Sequence, residues 1–388
     1  MSLPENPTTS RPLIGMSKLM RLAYDNADIG PIWNDLLART KADPADAAAW
    51  MDISVLMLAT GRREQALEVQ TAAIALQPVY RRVFGAGNGP TVAAFVTAGD
   101  MMANTPVEFL LEGSNAVLVY VYIDAGTDRL PDLGTVDAAF MAIGQSPENE
   151  AVLANLEHLL ATWKGPRILN GAPLTVAGLT RDGVHRLLAG EPSILSPATV
   201  EVKRDALLAV SQERDGLHTL LTGAGFPLVV RPAGTHAGGG MERIGGASEL
   251  ADYLARQPQE LFYLSPFVDY AGPDGLCRKQ RIVFIAGKPF ASHCAVSGHW
   301  MEHFDADFAA RHAEAFAALN RCIGLDYFGI DCAEMRDGRL LVFEVDVAMI
   351  VHDMDSEKVF PYKKPAMRKL FRAFQQALFD GCGKAAHA

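Results

Sequence analysis

The sequence predicts a protein of mixed α/β and α+β class in three parts: a helical region at residues 1–84, a small α/β domain at residues 85–175 and a larger α+β domain at residues 176–388. Three observations predict this division. Apolar residues recur at helical spacing in the first part, the second contains a continuous apolar run typical of a buried strand, and the third contains strands joined by hairpin-like turns. A chain of 388 residues also exceeds what one ordinary core accommodates.

The first part is predicted to be helical after a polar opening that we expect to be disordered. Residues 32–39, 47–58 and 65–76 have apolar residues at helical spacing. Asp43-Pro44 and Thr60-Gly61 separate these three segments, because proline and glycine interrupt helices.

Part of this region is similar to a tetratricopeptide repeat. The marker positions of one repeat are occupied by Trp50, Gly61, Ala66, Ala73 and Pro78. An ordinary helical hairpin is the alternative interpretation. About one and a half copies are too few for a superhelical binding groove. We therefore expect these helices to pack on the rest of the protein, or to contact a second copy of the chain or a protein partner.

The second part alternates between strands and helices. Strands are predicted at residues 91–98, 116–123, 137–143 and 167–170, and helices at residues 105–112 and 148–163. This order predicts a small parallel sheet with crossover helices. The glycine-rich run at residues 85–90 precedes the first of these strands, whereas a dinucleotide-binding fingerprint follows a strand. The run is therefore predicted to be a plain loop.

The third part contains longer strands. They are predicted at residues 227–232, 261–268, 280–290, 326–334 and 339–346, with helices at residues 248–256, 307–323 and 365–379. Short turns at residues 286–287 and 336–338 predict hairpins and an antiparallel sheet.

Composition excludes several classes of function. A net charge of −10 argues against general nucleic-acid binding, which needs a basic surface. No apolar run approaches the length of a membrane span, and residues 1–21 lack the features of a signal peptide. The five cysteines form no CxxC pair, which suits a reducing compartment. The cytoplasm is the expected location.

Two neighbouring features of the third part could receive an anion. A strand ends at Arg231 and is followed by a loop with Gly234 and the run Gly238–Gly240, whose backbone N–H groups could face a phosphate. A flexible surface turn is the alternative. Lys279 and Arg281 are two residues apart on a predicted strand and share one face. They either point into solvent or face an anionic group.

Two other strand features complete the candidate site. The apolar strand that ends near Ser265 could form a wall for an adenine ring, or it could be an ordinary core strand. Asp331, Glu344 and Asp346 lie in apolar strands, where carboxylates are costly unless they are paired or bound to a metal. Three converging oxygen donors suit Mg²⁺. A salt-bridge network is the alternative, although few cations lie nearby in sequence.

With these motifs, residues 180–380 resemble an ATP-grasp domain, and residues 85–175 resemble the small α/β domain that precedes it in such ligases. The nearest branch is the glutathione-synthetase-like and ribosomal-modification type. The resemblance implies Mg²⁺ at Asp331, Glu344 and Asp346, spaced as in D-alanine–D-alanine ligases. It also implies ATP contacts along the glycine-rich loop and the strands. The implied ATP contacts are Arg231, Thr235, His236, Gly238, Gly239, Gly240, Leu264, Ser265, Phe267, Lys279 and Arg281.

The resemblance implies an ADP-forming ligase that joins a small-molecule or peptide carboxylate to an amine through an acylphosphate. Arg231 and Arg281 are the implied catalytic cations. Two positions depart from the family pattern: Arg231 stands where a lysine is usual, and Asp346 stands where an asparagine is usual. These departures leave two alternatives open, a kinase-like phosphotransferase and a non-catalytic nucleotide-binding or scaffold protein.

The predicted substrate residues follow the cationic strand. His293, His299, Trp300 and His303 form a dense group in a chain with only ten histidines. A substrate-binding loop and an ordinary surface loop are both open, whereas a zinc site lacks the usual ligand spacing. His352, Asp353 and Asp355 follow the proposed metal strand and could also line the pocket.

Overall fold

The structure is a computed structural model that describes residues 11–235, 239–296 and 307–382. The helices are α1 Met16–Tyr24, α2 Gly30–Ala42, α3 Ala47–Ala59, α4 Arg63–Leu76, α5 Val107–Leu110, α6 Glu150–Leu160, α7 Pro173–Ala177, α8 Arg181–Leu188, α9 Arg204–Ser211, α10 Ala247–Arg256, α11 Phe308–Arg311, α12 Ala313–Ile323 and α13 Lys363–Leu378. Over the described ranges, none of these helices is long and apolar enough to cross a membrane.

The strands in these ranges form three sheets. They are β1 Val79–Val83, β2 Thr91–Val96, β3 Val117–Tyr122, β4 Ala138–Met141, β5 Ile168–Leu169, β6 Ile194–Leu195, β7 Val200–Lys203, β8 Leu228–Pro232, β9 Glu242–Ile244, β10 Leu261–Pro266, β11 Arg278–Ile285, β12 Lys288–Val296, β13 Tyr327–Glu334 and β14 Leu340–Asp346. The predicted fold class, a mixed α/β and α+β protein with an N-terminal helical region, is confirmed.

The helices α3 and α4 form the predicted hairpin. Gly61 lies at its turn with φ 79°, a left-handed conformation that favours glycine. The Asp46 side chain accepts a hydrogen bond from Ala49 N (3.0 Å) and so begins α3, and it also pairs with Arg39. One hairpin is common to a repeat and to any helical pair, so the tetratricopeptide assignment stays a prediction.

Helix α1 lies inside the segment that was predicted to be disordered, and this prediction is wrong for residues 16–24. The sequence there has Met16, Leu19, Met20 and Ala23 at helical spacing, and the prediction overlooked this apolar side. That side is buried: Leu19 is 0% exposed and packs with Leu36 and Ile53 of the next two helices. The local pattern therefore indicates this helix, and tertiary packing stabilises it.

The sheet of the second part, which we call the second sheet, has the strand order β1-β3-β2-β4-β5. Strands β3, β2, β4 and β5 are mutually parallel, as predicted, and β1 pairs antiparallel with β3. The helical prediction for residues 79–83 is wrong, because this segment supplies the edge strand. The glycine-rich run at residues 85–90 is the predicted loop and connects β1 to β2.

The third part contains two sheets. A four-stranded antiparallel sheet has the order β7-β10-β8-β9, and we call it the small sheet. A five-stranded sheet, the large sheet, has the order β12-β11-β13-β14-β6 and is antiparallel apart from β6. The predicted hairpins join β11 to β12 and β13 to β14.

The large sheet packs directly against the second sheet. Asn170 donates to Tyr327 O (2.6 Å) and accepts from Tyr327 N (2.8 Å). Tyr327 also packs edge-on against Phe140 of β4 and Phe374 of α13. The second and third parts therefore share a core.

Candidate functional site

Five charged side chains lie on one face of the large sheet. Arg281 of β11 is opposite Asp331 of β13, and Asp331 is opposite Glu344 of β14. Residues that are opposite each other, and residues two apart in one strand, project from the same side of a sheet. Lys279 and Asp346 therefore share this face. Lys279 and Arg281 therefore share one face, and so do Glu344 and Asp346, as the sequence predicted.

This face is divided into an apolar end and a charged end. Val283, Ile285 and Tyr327 continue the same rows and are buried in the core with α13. The charged residues lie beyond that cover, at the side where the small sheet approaches. The sheet thus presents fixed charges to a cleft and anchors them through its apolar end.

Asp331 is the most tightly held of these groups. It is 2% exposed, and Lys279 Nζ donates to its Oδ2 at 2.8 Å. Arg281 donates from Nε to Oδ1 at 2.8 Å and from Nη2 to Oδ2 at 3.1 Å. Burial alone would raise the pKa of Asp331, but Arg281 and then Lys279 lower that pKa to about 2. Asp331 is therefore ionised at neutral pH.

The two carboxylates of β14 have different surroundings. Glu344 Oε1 accepts a hydrogen bond from Arg181 Nη2 at 2.9 Å. Arg181 is the first residue of α8, which begins where the Thr180 side chain accepts from Gly183 N. Asp346 accepts from Ala348 N at 2.8 Å. Burial, followed by repulsion from Glu344, raises the pKa of Asp346 to about 7.

The sequence left a metal site and a salt-bridge network as alternatives, and the structure describes ion pairs at Asp331 and Glu344. The sequence argument assumed that few cations were near, but Arg181 reaches Glu344 from 163 residues away. Within the described ranges, no group of three or more His, Cys, Asp or Glu side chains is gathered at metal-binding spacing. The assignment of Mg²⁺ ligands stays a prediction, which is taken up below.

Across the cleft, Arg231 at the end of β8 is a buried cation. It is 7% exposed, and its Nη2 donates to the backbone oxygen and hydroxyl of Thr235. Its Nε has no hydrogen-bond partner, and no carboxylate of the described residues pairs with it. Burial, followed by the like charge of Arg181, lowers the pKa of Arg231 to about 10. Among the described residues the guanidinium is thus buried without a directly paired carboxylate, and the negative charge of Glu344 only partly offsets the effect of burial and of Arg181.

Four of these charged groups, Arg181, Arg231, Glu344 and Asp346, line one cavity between the small sheet, the large sheet and the loop after β4. Lys279, Arg281 and Asp331 are not among its lining residues. Its lining residues are Gln145, Ser146, Pro147, Leu179, Arg181, Val184, Arg231, Pro232, Gly234, Thr235, Tyr263, Phe343, Glu344, Val345 and Asp346. Gly234 has φ 72° at the start of the glycine-rich loop. Two arginines and two carboxylates therefore meet where the predicted anion-binding loop begins.

The predicted ATP-binding residues have mixed positions. Thr235 and Gly234 lie in the cavity wall, whereas Gly239 and Gly240 lie in the turn that leads to β9. Gly240 has φ 64°, and a Cβ there would lie 2.9 Å from Pro232, so only glycine fits without displacement. His236 and Gly238 fall outside the described residues.

The predicted adenine wall differs in part from expectation. Leu264 is 0% exposed and belongs to the core of the small sheet, so its side chain forms no pocket wall. The expectation of an edge with free backbone groups is wrong at Leu264, because β10 lies between β7 and β8 and pairs with both there. Ser265 lies beyond the end of β7. Phe267 is exposed and packs under the Arg243 guanidinium at 4.9 Å.

Of the predicted substrate residues, the structure describes one. His293 of β12 is opposite Arg281, so it shares the charged face. His299, Trp300 and His303 lie outside the described residues. Asp353 and Asp355 are not among the lining residues of the cavity, and they pair instead with Arg21 and Lys363.

Sequence reasoning missed Arg181 and Tyr263 in this cavity. Tyr263 is opposite Arg231 in the small sheet and therefore faces the same side. Alternation along β10 requires Tyr263 and the predicted Leu264 to face opposite ways, but it does not indicate which of the two faces the cavity. For Arg181 the only local signal is the cap at Thr180, which predicts a helix start and no partner.

We predict that Asp331→Asn destabilises the nucleotide-free protein. The folded pKa of about 2 lies below the usual 3.8, so the stabilisation is fully present above about pH 4 and is lost as pH falls through about 2. The free energy of unfolding should fall by roughly 2 kcal/mol at neutral pH, measured by chemical denaturation. Asp337→Asn, an exposed ion-paired aspartate of the β13–β14 turn, is the matched control and should change little. An Asp331→Asn protein as stable as wild type would contradict the buried network.

Comparisons with known proteins give fold-level similarity alone. No protein-family model matches the chain, and no curated protein matches it either. Among solved structures, the D-alanine–D-alanine ligase from Bacillus anthracis in complex with ATP is 14% identical, with a TM-score of 0.47, over 75% of this chain and 98% of its own.

Two further solved structures are similar to the chain. A RimK domain ATP-grasp protein from Sphaerobacter thermophilus is 18% identical over 74% of this chain and 98% of its own, with a TM-score of 0.45. The VanG D-Ala:D-Ser ligase from Enterococcus faecalis is 12% identical over 74% of this chain and 99% of its own, with a TM-score of 0.49. These are the kinds of protein that the sequence resembles. At such identities and TM-scores, a conclusion about activity has to come from the geometry of the cleft.

Proposed function

We propose that the chain is an ATP-dependent ligase of the ATP-grasp type, and that ATP binds in the cleft between the small sheet and the large sheet. In this proposal the triphosphate contacts Arg181 and Arg231, and the base lies towards Ser265 at the end of β10. The reaction joins a small-molecule or peptide carboxylate to an amine, with ADP and phosphate as products.

The buried guanidinium of Arg231 is the observation that most favours an anionic ligand. A buried charge without a counter-ion is costly, typically by several kcal/mol, and proteins retain such groups where a ligand supplies the opposite charge. Arg181 lies close enough to lower the pKa of Arg231. Two cations that repel each other around one cavity fit a multiply charged anion such as a triphosphate.

The donor chemistry of the opposite wall fits magnesium. Asp331, Glu344 and Asp346 are hard oxygen donors on one face, which is the ligand type that Mg²⁺ binds together with phosphate oxygens. The ion pairs with Lys279 and Arg281 hold Asp331 ionised, and the ion pair with Arg181 orients Glu344. When bound, the metal would supply charge neutralisation for the phosphates. Arg281 and Lys279 would also neutralise part of the phosphate charge.

The proposed chemistry has two steps. A substrate carboxylate oxygen attacks the γ-phosphorus, the bond to the β–γ bridging oxygen breaks, and ADP leaves with that electron pair. The amine nitrogen then attacks the acyl carbon of the acylphosphate, inorganic phosphate leaves, and the nitrogen releases a proton. Catalysis of this kind depends on positioning and charge neutralisation, which Arg231 and Arg281 would provide in this proposal.

The substrate site is proposed on the His293 side of the charged face. We propose that His299, Trp300 and His303, which follow β12 in sequence, complete it. The cytoplasmic location and the absence of nucleic-acid and membrane partners stay predictions from the sequence.

The test is a binding and product assay on the purified protein. Thermal shift with ATP, with and without Mg²⁺, should raise the melting temperature, because a ligand that binds only the folded state stabilises it by mass action. A panel of carboxylates and amines is then screened for ADP, free phosphate and amide. A stable phosphorylated product without amide would identify the kinase-like alternative. ATP binding without turnover across the panel would favour the non-catalytic alternative, and no ATP binding would contradict the proposal.

A further inference from the structure

Helix α1 is held at its N-terminal end by two buried carboxylates from different parts of the protein. Ile14 N and Gly15 N donate to Asp52 of α3 at 2.8 and 3.1 Å. Ser17 N donates to Glu108 of α5 at 2.9 Å. Asp52 and Glu108 are each 1% exposed, and carboxylates favour the N-terminal end of a helix. The helical region is thereby fixed to the second sheet.

At its C-terminal end, α1 reaches the third part of the chain. Arg21 Nη2 donates to Glu112 at 2.7 Å and to Asp353 at 2.6 Å, across 332 residues of sequence in the second case. The Tyr24 hydroxyl donates to Asp355 at 3.2 Å. Asp353 is 8% exposed, and Arg21 is the cation that pairs with it.

Asp353 belongs to residues 347–355, which follow β14 directly and which we call the post-β14 segment. Ala348 N donates to Asp346, and Thr105 Oγ1 donates to Val347 O at 2.7 Å. A Cβ added to Gly144, in the loop before the cavity-lining Gln145, would lie 2.6 Å from the Ala348 side chain. The segment is thus packed tightly at its start beside the cavity, and α1 holds its far end.

We propose that Arg21 is a positioning residue of the ATP site: by pairing with Asp353 it fixes the post-β14 segment, and through that segment the Asp346 end of β14. This inference rests on the proposed function for its effect on ATP. The N-terminal helices are then a working part of the enzyme, and their shared surface with the third part is intramolecular. Removing Arg21 leaves the Asp353 carboxylate buried without its cation, and the segment must shift to bring that charge to water.

The coupling must act in both directions. If α1 favours the arrangement of Asp346 that binds ATP, ATP binding favours the docked position of α1 by the same factor. Amide hydrogens of residues 13–24 should therefore exchange more slowly when wild-type protein binds Mg-ATP, although this helix lies outside the cavity.

The test compares Arg21→Ala with Lys18→Ala, which removes an exposed cation on the same helix that has no ion pair among the described residues. In nucleotide-free protein, Arg21→Ala should speed hydrogen exchange in the post-β14 segment by about tenfold or more and leave β2 and β3 unchanged. The KM for ATP should rise at least about fivefold in Arg21→Ala, and in Arg21→Lys it should lie between the Arg21→Ala and wild-type values. Lys18→Ala should change neither quantity.

Arg21→Met keeps much of the length of the side chain, leaves Asp353 without its cation and serves if Arg21→Ala does not fold. Unchanged exchange in the post-β14 segment of these variants would overturn the inference, and so would faster exchange with an unchanged KM. A wild-type protein that bound no ATP would instead overturn the proposed function. The exchange comparison, which uses no nucleotide, would still decide whether Arg21 fixes the segment.

Discussion

Glu344→Gln is expected to abolish ATP turnover while the protein stays folded. The substitution keeps the size of the side chain and removes one of the three carboxylate charges proposed for magnesium. It also releases Arg181, which donates to Glu344 Oε1 at 2.9 Å. Loss of one preorganised electrostatic partner typically costs a factor of 10² to 10³, so turnover should fall roughly a thousandfold. The rate of ADP release under saturating Mg-ATP measures this.

A metal-free measurement separates the role of Glu344 from a general loss of binding. In the presence of EDTA the Glu344→Gln variant should bind ATP more tightly than wild type. The negative charge that repels the triphosphate is gone, and Arg181 is free to contact it. With Mg²⁺ the order should reverse.

The matched control is Glu334→Gln. Glu334 lies at the end of the neighbouring strand and pairs with Arg311 on the outside of the protein. The Glu334→Gln substitution should leave turnover and the unfolding midpoint unchanged, because exposed ion pairs contribute little to stability. Wild-type turnover in Glu344→Gln would show that the metal assignment is wrong.

The charged face could be predicted because its determinants are local. Side chains alternate along a strand, and the short turn at residues 336–338 sets the register of β13 against β14. Asp331 and Glu344 are therefore brought together by about a dozen consecutive residues. The sequence predicted that Lys279 and Arg281 share one face of a strand, but it did not predict which group they contact. The answer, Asp331, depends on which strand is the neighbour of β11 in the sheet.

The partners that sequence reasoning missed are all distant in the chain. Arg181 is 163 residues from Glu344, and no local pattern links the start of a short helix to a carboxylate in a strand. Helix α1 is different, because the apolar spacing of residues 16–23 indicates it locally. Strand β1 contains two arginines and reads as polar, yet it is stabilised by pairing with β3 at the sheet edge.

The adenine wall shows a different limit. A strand that is apolar on both sides gives no indication of which side faces a cleft and which faces a core. Leu264 and Tyr263 are neighbours with opposite directions, and only the packing of the small sheet decides between them.

Arg231→Met should weaken ATP binding without weakening the fold. Methionine has a similar length and no charge, so the substitution removes a buried guanidinium whose Nε has no hydrogen-bond partner among the described residues. Hydrogen bonds to charged groups contribute about 1.5–3 kcal/mol, so the Kd for ATP should rise roughly 10- to 100-fold by calorimetric titration. The free energy of unfolding without nucleotide should be unchanged or higher, because the charge no longer has to be buried.

Two comparison variants make the assignment of Arg231 specific. Arg231→Lys keeps the positive charge, so it should retain most of the ATP affinity while losing the planar contacts to Thr235. Arg256→Met removes an exposed arginine of α10 that pairs with Glu242, and it should leave both ATP affinity and stability unchanged. If Arg231→Met bound ATP like wild type but was strongly destabilised, the guanidinium would be a structural group that supports the Thr235 loop. A buried cation that lowers stability when the site is empty and raises affinity when ATP is present is, by contrast, the behaviour of a binding residue.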